Sequence, residues 1–123
     1  MTSLLVGRVV SGLGEGRHLG FPTANLELLS GSRPPAGIYL ARVKELNQDW
    51  RPGLLVSGVH WEVKDVPRIE VYLLDFNGNL YGRELQVEVL KKIREVLKIN
   101  DSQALRQRIE QDIAEAKVYF KSG

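Results

Sequence analysis

The chain has 123 residues, of which 43% are hydrophobic and 26% charged, with a net charge of +2 and a pI near 9.0. These values are typical of one soluble globular domain, and the small positive charge suits phosphate ligands but is too low for a nucleic-acid-binding protein. The lack of cysteine excludes a disulfide framework, a thiolate nucleophile and a zinc finger.

The first ten residues contain only a short apolar run, which is interrupted by Arg8. That run is too short for a signal peptide or a membrane span. We therefore expect a cytoplasmic protein without a membrane partner.

Most of the chain has the alternating, β-branched pattern of strands. At residues 69–76, for example, Ile69, Val71 and Leu73 alternate with Glu70 and Tyr72, and the Asn-Gly pair at 77–78 indicates a tight turn. Strands are predicted at residues 3–10, 37–46, 51–58, 68–76 and 80–93, with a short edge strand around residues 26–28.

The C-terminal part of the chain, about residues 101–120, is predicted to be an amphipathic helix. Asn100, Asp101 and Ser102 are candidate N-caps, and Gln103 follows Asn100 at the capping-box distance. The apolar residues fall at the spacing of one buried helical face; they are Leu105, Ile109, Ile113, Ala116 and Phe120.

Five or six strands and one helix within a single domain, residues 1–123, favour a mainly β fold. The expected architecture is a small closed antiparallel barrel, about residues 3–98, with the helix packed outside it. The residue pattern alone does not distinguish this barrel from an open half-barrel or an OB-fold.

The segment 12–25, GLGEGRHLGFPTAN, combines alternate glycines with a basic residue. Gly12, Gly14 and Gly16 allow positive φ and let backbone N–H groups approach a ligand, as in phosphate-binding loops, and Arg17 adds positive charge. The spacing is equally compatible with a surface turn between two strands. There is no Walker GxxxxGK[ST] motif and no Rossmann strand–loop–helix pattern.

Two side chains at the end of this segment offer neutral oxygen ligands. Thr23 and Asn25 are two residues apart, so on an extended segment both side chains point the same way. Mg²⁺ prefers oxygen donors and shares its shell with water and substrate phosphates. The pair predicts a metal site beside a phosphate loop, with an ordinary turn as the alternative.

The segment GxGxGRxLGFPTANL, preceded by a Gly-x-Val strand at residues 7–9, resembles the signature of the riboflavin kinases. This module also forms the C-terminal half of bacterial FAD synthetases. The likeness continues in the family's order to about residue 112, through PAGIY at 35–39, IEVYLLDF at 69–76, LYG at 80–82 and IR at 93–94.

The resemblance implies a six-stranded Greek-key barrel that transfers the γ-phosphate of ATP to the 5′-hydroxyl of riboflavin. Thr23 and Asn25 would then hold Mg²⁺ against the β- and γ-phosphates. The glycine loop, with Gly12, Gly14, Gly16 and Arg17, would contact the ATP phosphates. Tyr81 would line the nucleotide site, although on composition alone it is equally well read as a core aromatic beside a turn.

By the same resemblance, Glu70 is the catalytic base and Arg94 and Ile99 lie at the flavin end. Glu70 interrupts an otherwise apolar strand, where a lone carboxylate is unfavourable unless it faces a polar cleft. The alternative interpretation has Glu70 on a solvent face or paired with a Lys or Arg. For Arg94 the alternative is a solvated charge at a strand end.

The chain departs from the family pattern at residues 56–62, VSGVHWE, where members usually have Asn-Ile-Gly and then Pro-Thr-Phe. This departure keeps open a second function, a catalytically weak module that binds flavin or nucleotide. A small RNA- or protein-binding barrel is favoured only by the pI, because the strands do not interleave aromatic with basic residues. The adenylyltransferase motif His-x-Gly-His is absent, so FMN adenylylation is not expected, and we expect a monomer.

Overall fold

The computed structural model describes residues 3–10, 23–58, 69–74, 80–96 and 101–122, without the side chains of Thr23, Ser102 and Ser122. These residues form six strands and one helix. They are β1 Ser3–Val10, β2 Thr23–Ser30, β3 Gly37–Glu45, β4 Arg51–Ser57, β5 Ile69–Leu73, β6 Glu84–Arg94 and α1 Ser102–Ser122.

The strands close into an antiparallel barrel in the order β1-β2-β5-β4-β3-β6. Strands β3, β4 and β5 are consecutive neighbours, and β2 lies beside β5, which is a Greek-key arrangement. The predicted closed six-stranded barrel is confirmed. The predicted edge strand at 26–28 is wrong, because β2 is longer and pairs with both β1 and β5.

Alternation along the strands places one set of apolar side chains inside the barrel. Among the described residues, thirteen buried apolar side chains fill the interior, including Leu5, Val9, Leu55, Val71 and Val87. On β4, a Cβ at Gly53 would lie only 2.6 Å from the carbonyl oxygen of Tyr72, so this position requires glycine for the close approach of β5.

The helix packs on the outer surface of the barrel through a second apolar cluster. Ala116 is fully buried against residues of β3 and β4, and Ile113 and Phe120 are partly buried at the same cluster. Leu105 and Ile109, the other residues of the predicted stripe, are half-buried. The predicted helical face therefore does face the barrel.

Asp101 caps the helix. Its carbonyl accepts the first helical bond from the N–H of Leu105 at 3.0 Å, and its Oδ1 accepts a bond from the N–H of Gln103 at 3.3 Å. The helix begins at Ser102 and extends two residues beyond the predicted end. Among the described residues, no helix is long and apolar enough to cross a membrane.

Strand β6 begins at Glu84, later than predicted, because residues 80–83 form a turn. The N–H of Arg83 donates to the carbonyl of Leu80 at 2.9 Å, and Gly82, with φ at 79°, occupies the third position. A type II turn requires positive φ there, which explains the glycine. The N–H of Gly82 donates to the carbonyl of Val9, and the N–H of Val9 donates to the carbonyl of Arg83, both at 2.9 Å. These two hydrogen bonds attach the turn to β1.

Candidate functional site

The strand register brings Asn25 and Glu70 side by side. Asn25 of β2 lies directly opposite Glu70 of β5, and Glu70 lies opposite Val56 of β4. Because Ile69 and Val71 face the barrel interior, the alternation turns Glu70 outward together with its cross-strand partners. The three side chains thus form one rung on the outer surface of the barrel.

Asn25 is the most unusual residue of this rung. It is only 8% exposed, and among the described residues its Oδ1 has no hydrogen-bond partner. A buried oxygen without a partner is costly in a folded protein and calls for a ligand or another explanation. An amide oxygen is a ligand that Mg²⁺ accepts, so the donor present here fits the predicted metal.

Glu70 is half-buried between Asn25 and Val56, so its side chain is less accessible than that of a surface glutamate. It lies at the border between the polar side chain on β2 and the apolar cluster under α1, to which Val56 and Tyr72 belong. A carboxylate at such a border can accept a proton from one group while an apolar part of the same ligand packs alongside.

The glycine-loop residues Gly12, Gly14, Gly16 and Arg17, as well as Ile99, lie outside the described residues. The backbone of Thr23 is described and pairs with Tyr72, but its side chain is not. Val10, where the strand before the glycine loop ends, pairs with Asn25. The chain therefore leaves the sheet for this loop, and returns from it at Thr23, next to the Asn25–Glu70 pair.

Tyr81 lies in the turn at residues 80–83 and is 64% exposed, so the alternative interpretation of a core aromatic is wrong. The turn is bonded to Val9, one residue before the end of β1. Tyr81 thus lies in a turn that is fixed to the end of β1, and we predict that it contacts the nucleotide.

Arg94 is the last residue of β6, and its interpretation as a solvated charge is wrong. Its side chain is only 13% exposed and makes a bidentate pair with Asp112 of α1, with Nε–Oδ1 and Nη2–Oδ2 distances of 2.8 and 2.6 Å. Arg94 pairs with Ile38 in the sheet, and Ile38 with Val56, so it belongs to the same outer rung as Glu70.

Two features of the site were missed by sequence reasoning. One is Asp112, which received no role in the sequence analysis although it directly precedes Ile113 of the apolar stripe. The second is a group of hydrogen bonds that joins the segment before β3 to the end of β4. Arg33 donates from Nε to the hydroxyl of Ser57 at 3.2 Å and from Nη2 to the carbonyl of Gly58. The hydroxyl of Ser57 in turn donates to the carbonyl of Pro34 at 2.8 Å. No local pattern in the sequence connects these residues.

Comparison with known proteins gives consistent relationships over nearly the whole chain. The family model Flavokinase, described as riboflavin kinase, matches residues 2–120. The chain is similar to the bifunctional riboflavin kinase/FMN adenylyltransferases of Haemophilus influenzae, at 34% identity over 96% of this chain and 39% of that protein, and of Pseudomonas fluorescens, at 39% identity over 92% and 37%. It thus spans about two fifths of the length of these curated relatives.

Two solved structures share the fold. A crystal structure described as a macrolide-efflux protein from Streptococcus pneumoniae aligns with a TM-score of 0.84 and 30% identity, over 93% of this chain and 38% of that one. A riboflavin kinase from Trypanosoma brucei aligns with a TM-score of 0.66 and 23% identity, over 98% of this chain and 80% of that one. The second likeness supports the barrel architecture alone.

Proposed function

The chain belongs to the riboflavin kinase family, and we propose that it transfers the γ-phosphate of ATP to the 5′-hydroxyl of riboflavin, giving FMN and ADP. The observation that carries this proposal is the direct cross-strand pairing of Asn25 and Glu70 on the outer surface of the barrel. One side chain offers to a cation an oxygen that has no hydrogen-bond partner among the described residues, and its neighbour offers a carboxylate to a hydroxyl group.

Glu70 acts as the base in this proposal. It accepts the proton of the ribityl 5′-hydroxyl as that oxygen bonds to the γ-phosphorus, and the bond between that phosphorus and the ADP oxygen breaks. Phosphoryl transfer requires mainly positioning and charge stabilisation. The adjacent positions of Asn25 and Glu70 support it, because the nucleophile has to lie next to the phosphate end of the nucleotide.

Thr23 and Asn25 would hold Mg²⁺, which when bound would neutralise charge on the β- and γ-phosphates. The buried Oδ1 of Asn25, which has no partner in the described part of the chain, supports this role. The glycine loop with Arg17 would contact the ATP phosphates, since the chain enters and leaves that loop beside Asn25. The exposed Tyr81 would border the nucleotide.

The flavin would extend from Glu70 towards Arg94. These residues belong to one outer rung but stand three strand spacings apart, which is half of the way around the six-stranded barrel and roughly 14 Å along its curved wall at about 4.8 Å per spacing. The positions between them, Val56 and Ile38, are apolar and belong to the cluster on which α1 packs. Ile99 would contribute a further apolar contact near the ring.

Turnover of riboflavin with ATP and Mg²⁺, followed as FMN by chromatography, tests this proposal. Replacement of Glu70 by Gln keeps the shape of the side chain but removes the proton acceptor. It should lower kcat by about 100- to 10 000-fold while ATP affinity stays within about twofold. Near-normal turnover of this variant would rule out Glu70 as the base.

Glu27→Gln is the matched control, because Glu27 lies on the neighbouring strand and is exposed on β2. It should retain full activity. Omission of Mg²⁺ should abolish FMN formation in both the parent and the control.

A second candidate function is a flavin- or nucleotide-binding module with little catalysis. It is favoured by the departure from the family pattern at residues 56–62, in which Val56 lies opposite Glu70 in the sheet. Quenching of riboflavin fluorescence without metal-dependent FMN formation would support this candidate over the kinase.

The adenylyltransferase activity in the names of the longer relatives is not carried over to this chain. We place the domain in the cytoplasm as a monomer that binds small molecules and no nucleic acid or membrane. Light scattering of the purified chain, with and without riboflavin, tests the monomer.

A further inference from the structure

The segment between β2 and β3, residues 31–36, crosses one end of the barrel and is called the crossover below. Strands β2 and β3 are three positions apart in the barrel order, so the chain has to pass across the end where β2 ends and β3 begins. Strand β4 ends and β5 begins at this same end. The hydroxyl of Tyr39 on β3 donates to the carbonyl of Pro35 at 2.6 Å, which attaches the crossover to β3.

Arg33 attaches the crossover to the end of β4. Its Nε donates to the hydroxyl of Ser57 at 3.2 Å, and its Nη2 donates to the carbonyl of Gly58, the first residue after the strand. The hydroxyl of Ser57 donates in turn to the carbonyl of Pro34 at 2.8 Å. These three hydrogen bonds, named the Arg33 clamp here, fix the last residue of β4 to the crossover.

Packing alone does not account for the clamp. Ser57 is fully buried, and its partner across the sheet, Ile69, belongs to the apolar interior. A buried hydroxyl is tolerated when it is hydrogen-bonded, as Ser57 is on both its donor and its acceptor side. An apolar side chain would fill the same position without Arg33. Ser57 also lies in the segment 56–62, where the chain departs from the riboflavin kinase pattern.

The clamp lies next to Glu70 in the sheet. Ser57 pairs with Ile69 and Val56 pairs with Glu70, and the pairing of β5 with β2 also ends at Ile69. Strand β5 has five residues, of which Glu70 is the second. Because the ends of strands open more easily than their centres, the position of Glu70 depends on how firmly the end of β4 is held.

We propose that Arg33 is a positioning residue for the reaction: it holds the end of β4 and thereby keeps the carboxylate of Glu70 beside Asn25, without contacting substrate. The inference rests on the proposed function, because it uses Glu70 as the base. Proton transfer depends on the distance between the base and the hydroxyl group, so a displaced base lowers the rate more than the affinity for substrate. The role of Arg33 should therefore be visible in kcat.

The test compares Arg33→Ala with Arg42→Ala. Loss of the clamp in Arg33→Ala should lower kcat about tenfold or more, with the KM values for riboflavin and ATP within about threefold. Arg42 is the matched control, because it is exposed, pairs with Pro52 near the start of β4 and forms an ion pair with Glu88 at 3.3 Å. Arg42→Ala should leave kcat and both KM values unchanged.

Combination with Glu70→Gln distinguishes a positioning role from a general loss of structure. If Arg33 acts through Glu70, adding Arg33→Ala to Glu70→Gln should slow single-turnover FMN formation by no more than about twofold. A further fall of about tenfold would show that Arg33 acts independently of Glu70 and would overturn the proposal. A parental kcat in Arg33→Ala would overturn it as well.

Arg33→Lys covers the possibility that Arg33→Ala does not fold. Lysine keeps the charge but lacks the forked geometry with which arginine reaches Ser57 and Gly58 together. This variant should lower kcat in the same direction by a smaller factor. Full activity of the lysine variant would contradict a role for the two-pronged bond.

Hydrogen exchange tests the clamp without any substrate. In Arg33→Ala the backbone amides of residues 69–71 should exchange at least about tenfold faster than in the parent, whereas those of residues 85–89 in β6 should be unaffected. Unchanged exchange at residues 69–71 would contradict the clamp. A parent protein that produces no FMN would instead contradict the kinase assignment, so the two failures are distinguishable.

Discussion

At the scale of single residues, Asn25 illustrates how a site can conflict with stability. Its buried amide oxygen has no hydrogen-bond partner within the described residues. A buried neutral oxygen that lacks a partner lowers the stability of the folded state by about 1–3 kcal/mol. A fold under selection for stability alone would place an apolar side chain at this position. The amide is understandable if its oxygen is completed by a ligand when the site is filled.

Asn25→Leu replaces the amide by an apolar side chain of similar size and therefore separates stability from function. The free energy of unfolding in urea should stay the same or rise by about 1 kcal/mol, because the unpartnered oxygen is removed. Affinity for ATP in the presence of Mg²⁺ should fall by at least about tenfold, equivalent to 1.4 kcal/mol.

Affinity for ATP in EDTA is the control for Asn25→Leu and should be the same in variant and parent. A variant that is less stable by more than about 2 kcal/mol would show that Asn25 has a structural partner after all. A variant with normal Mg²⁺-dependent affinity would remove Asn25 from the metal site.

At the scale of secondary-structure elements, the sequence predicts most of what the structure contains. Alternation in IEVYL correctly separates the inward Ile69, Val71 and Leu73 from the outward Glu70 and Tyr72. Prediction failed where backbone hydrogen bonds to distant strands determine the secondary structure. The polar residues at the start of β2 resemble a turn, and only pairing on both sides makes the segment a strand of the barrel.

The turn at residues 80–83 and the burial of Asp112 were missed for related reasons. The turn is stabilised by bonds to Val9, and Asp112 is buried because Arg94 binds it. In each case the partner is remote in sequence. A lone Asp on a helix is most often solvated, so its type and spacing gave no signal of burial.

The start of α1 can be tested directly, since the sequence left Asn100, Asp101 and Ser102 as candidate caps. The hydrogen bonds identify Asp101, so Asp101→Ala should lower the free energy of unfolding by about 1 kcal/mol. Gln103→Ala keeps the backbone N–H that Asp101 binds and should leave stability nearly unchanged. A larger loss in Asn100→Ala than in Asp101→Ala would contradict this cap.

At the scale of the whole molecule, closure of the barrel creates the site. Asn25 and Glu70 are distant in sequence and become neighbours only because β2 pairs with β5. The barrel closes because the first strand pairs with the last, β1 with β6. Neither pairing is visible in a local pattern, so the motif residues were identifiable from the family resemblance but their common rung was not.

The proposed positions of the two ligands along the rung also predict how each ligand changes the stability of the protein. A ligand at about 100 times its dissociation constant adds about 2.7 kcal/mol to the free energy of unfolding, or roughly 10 °C in Tm for a domain of this size. Calorimetry of the parent protein should show a higher Tm in two separate experiments at saturating ligand. One experiment contains Mg²⁺ and ADP, and the other contains only riboflavin.

Substitutions at the two ends of the rung should remove these increases in Tm independently of each other. Asn25→Leu should lose most of the shift from Mg²⁺ with ADP and keep the shift from riboflavin, because we propose that its amide lies at the nucleotide end. Arg94→Lys should show the reverse pattern, because we propose that Arg94, three strand spacings from Glu70, lies at the flavin end. If both variants lose both shifts to the same extent, the outer surface responds as one cooperative unit, and the separation into a nucleotide end and a flavin end is wrong.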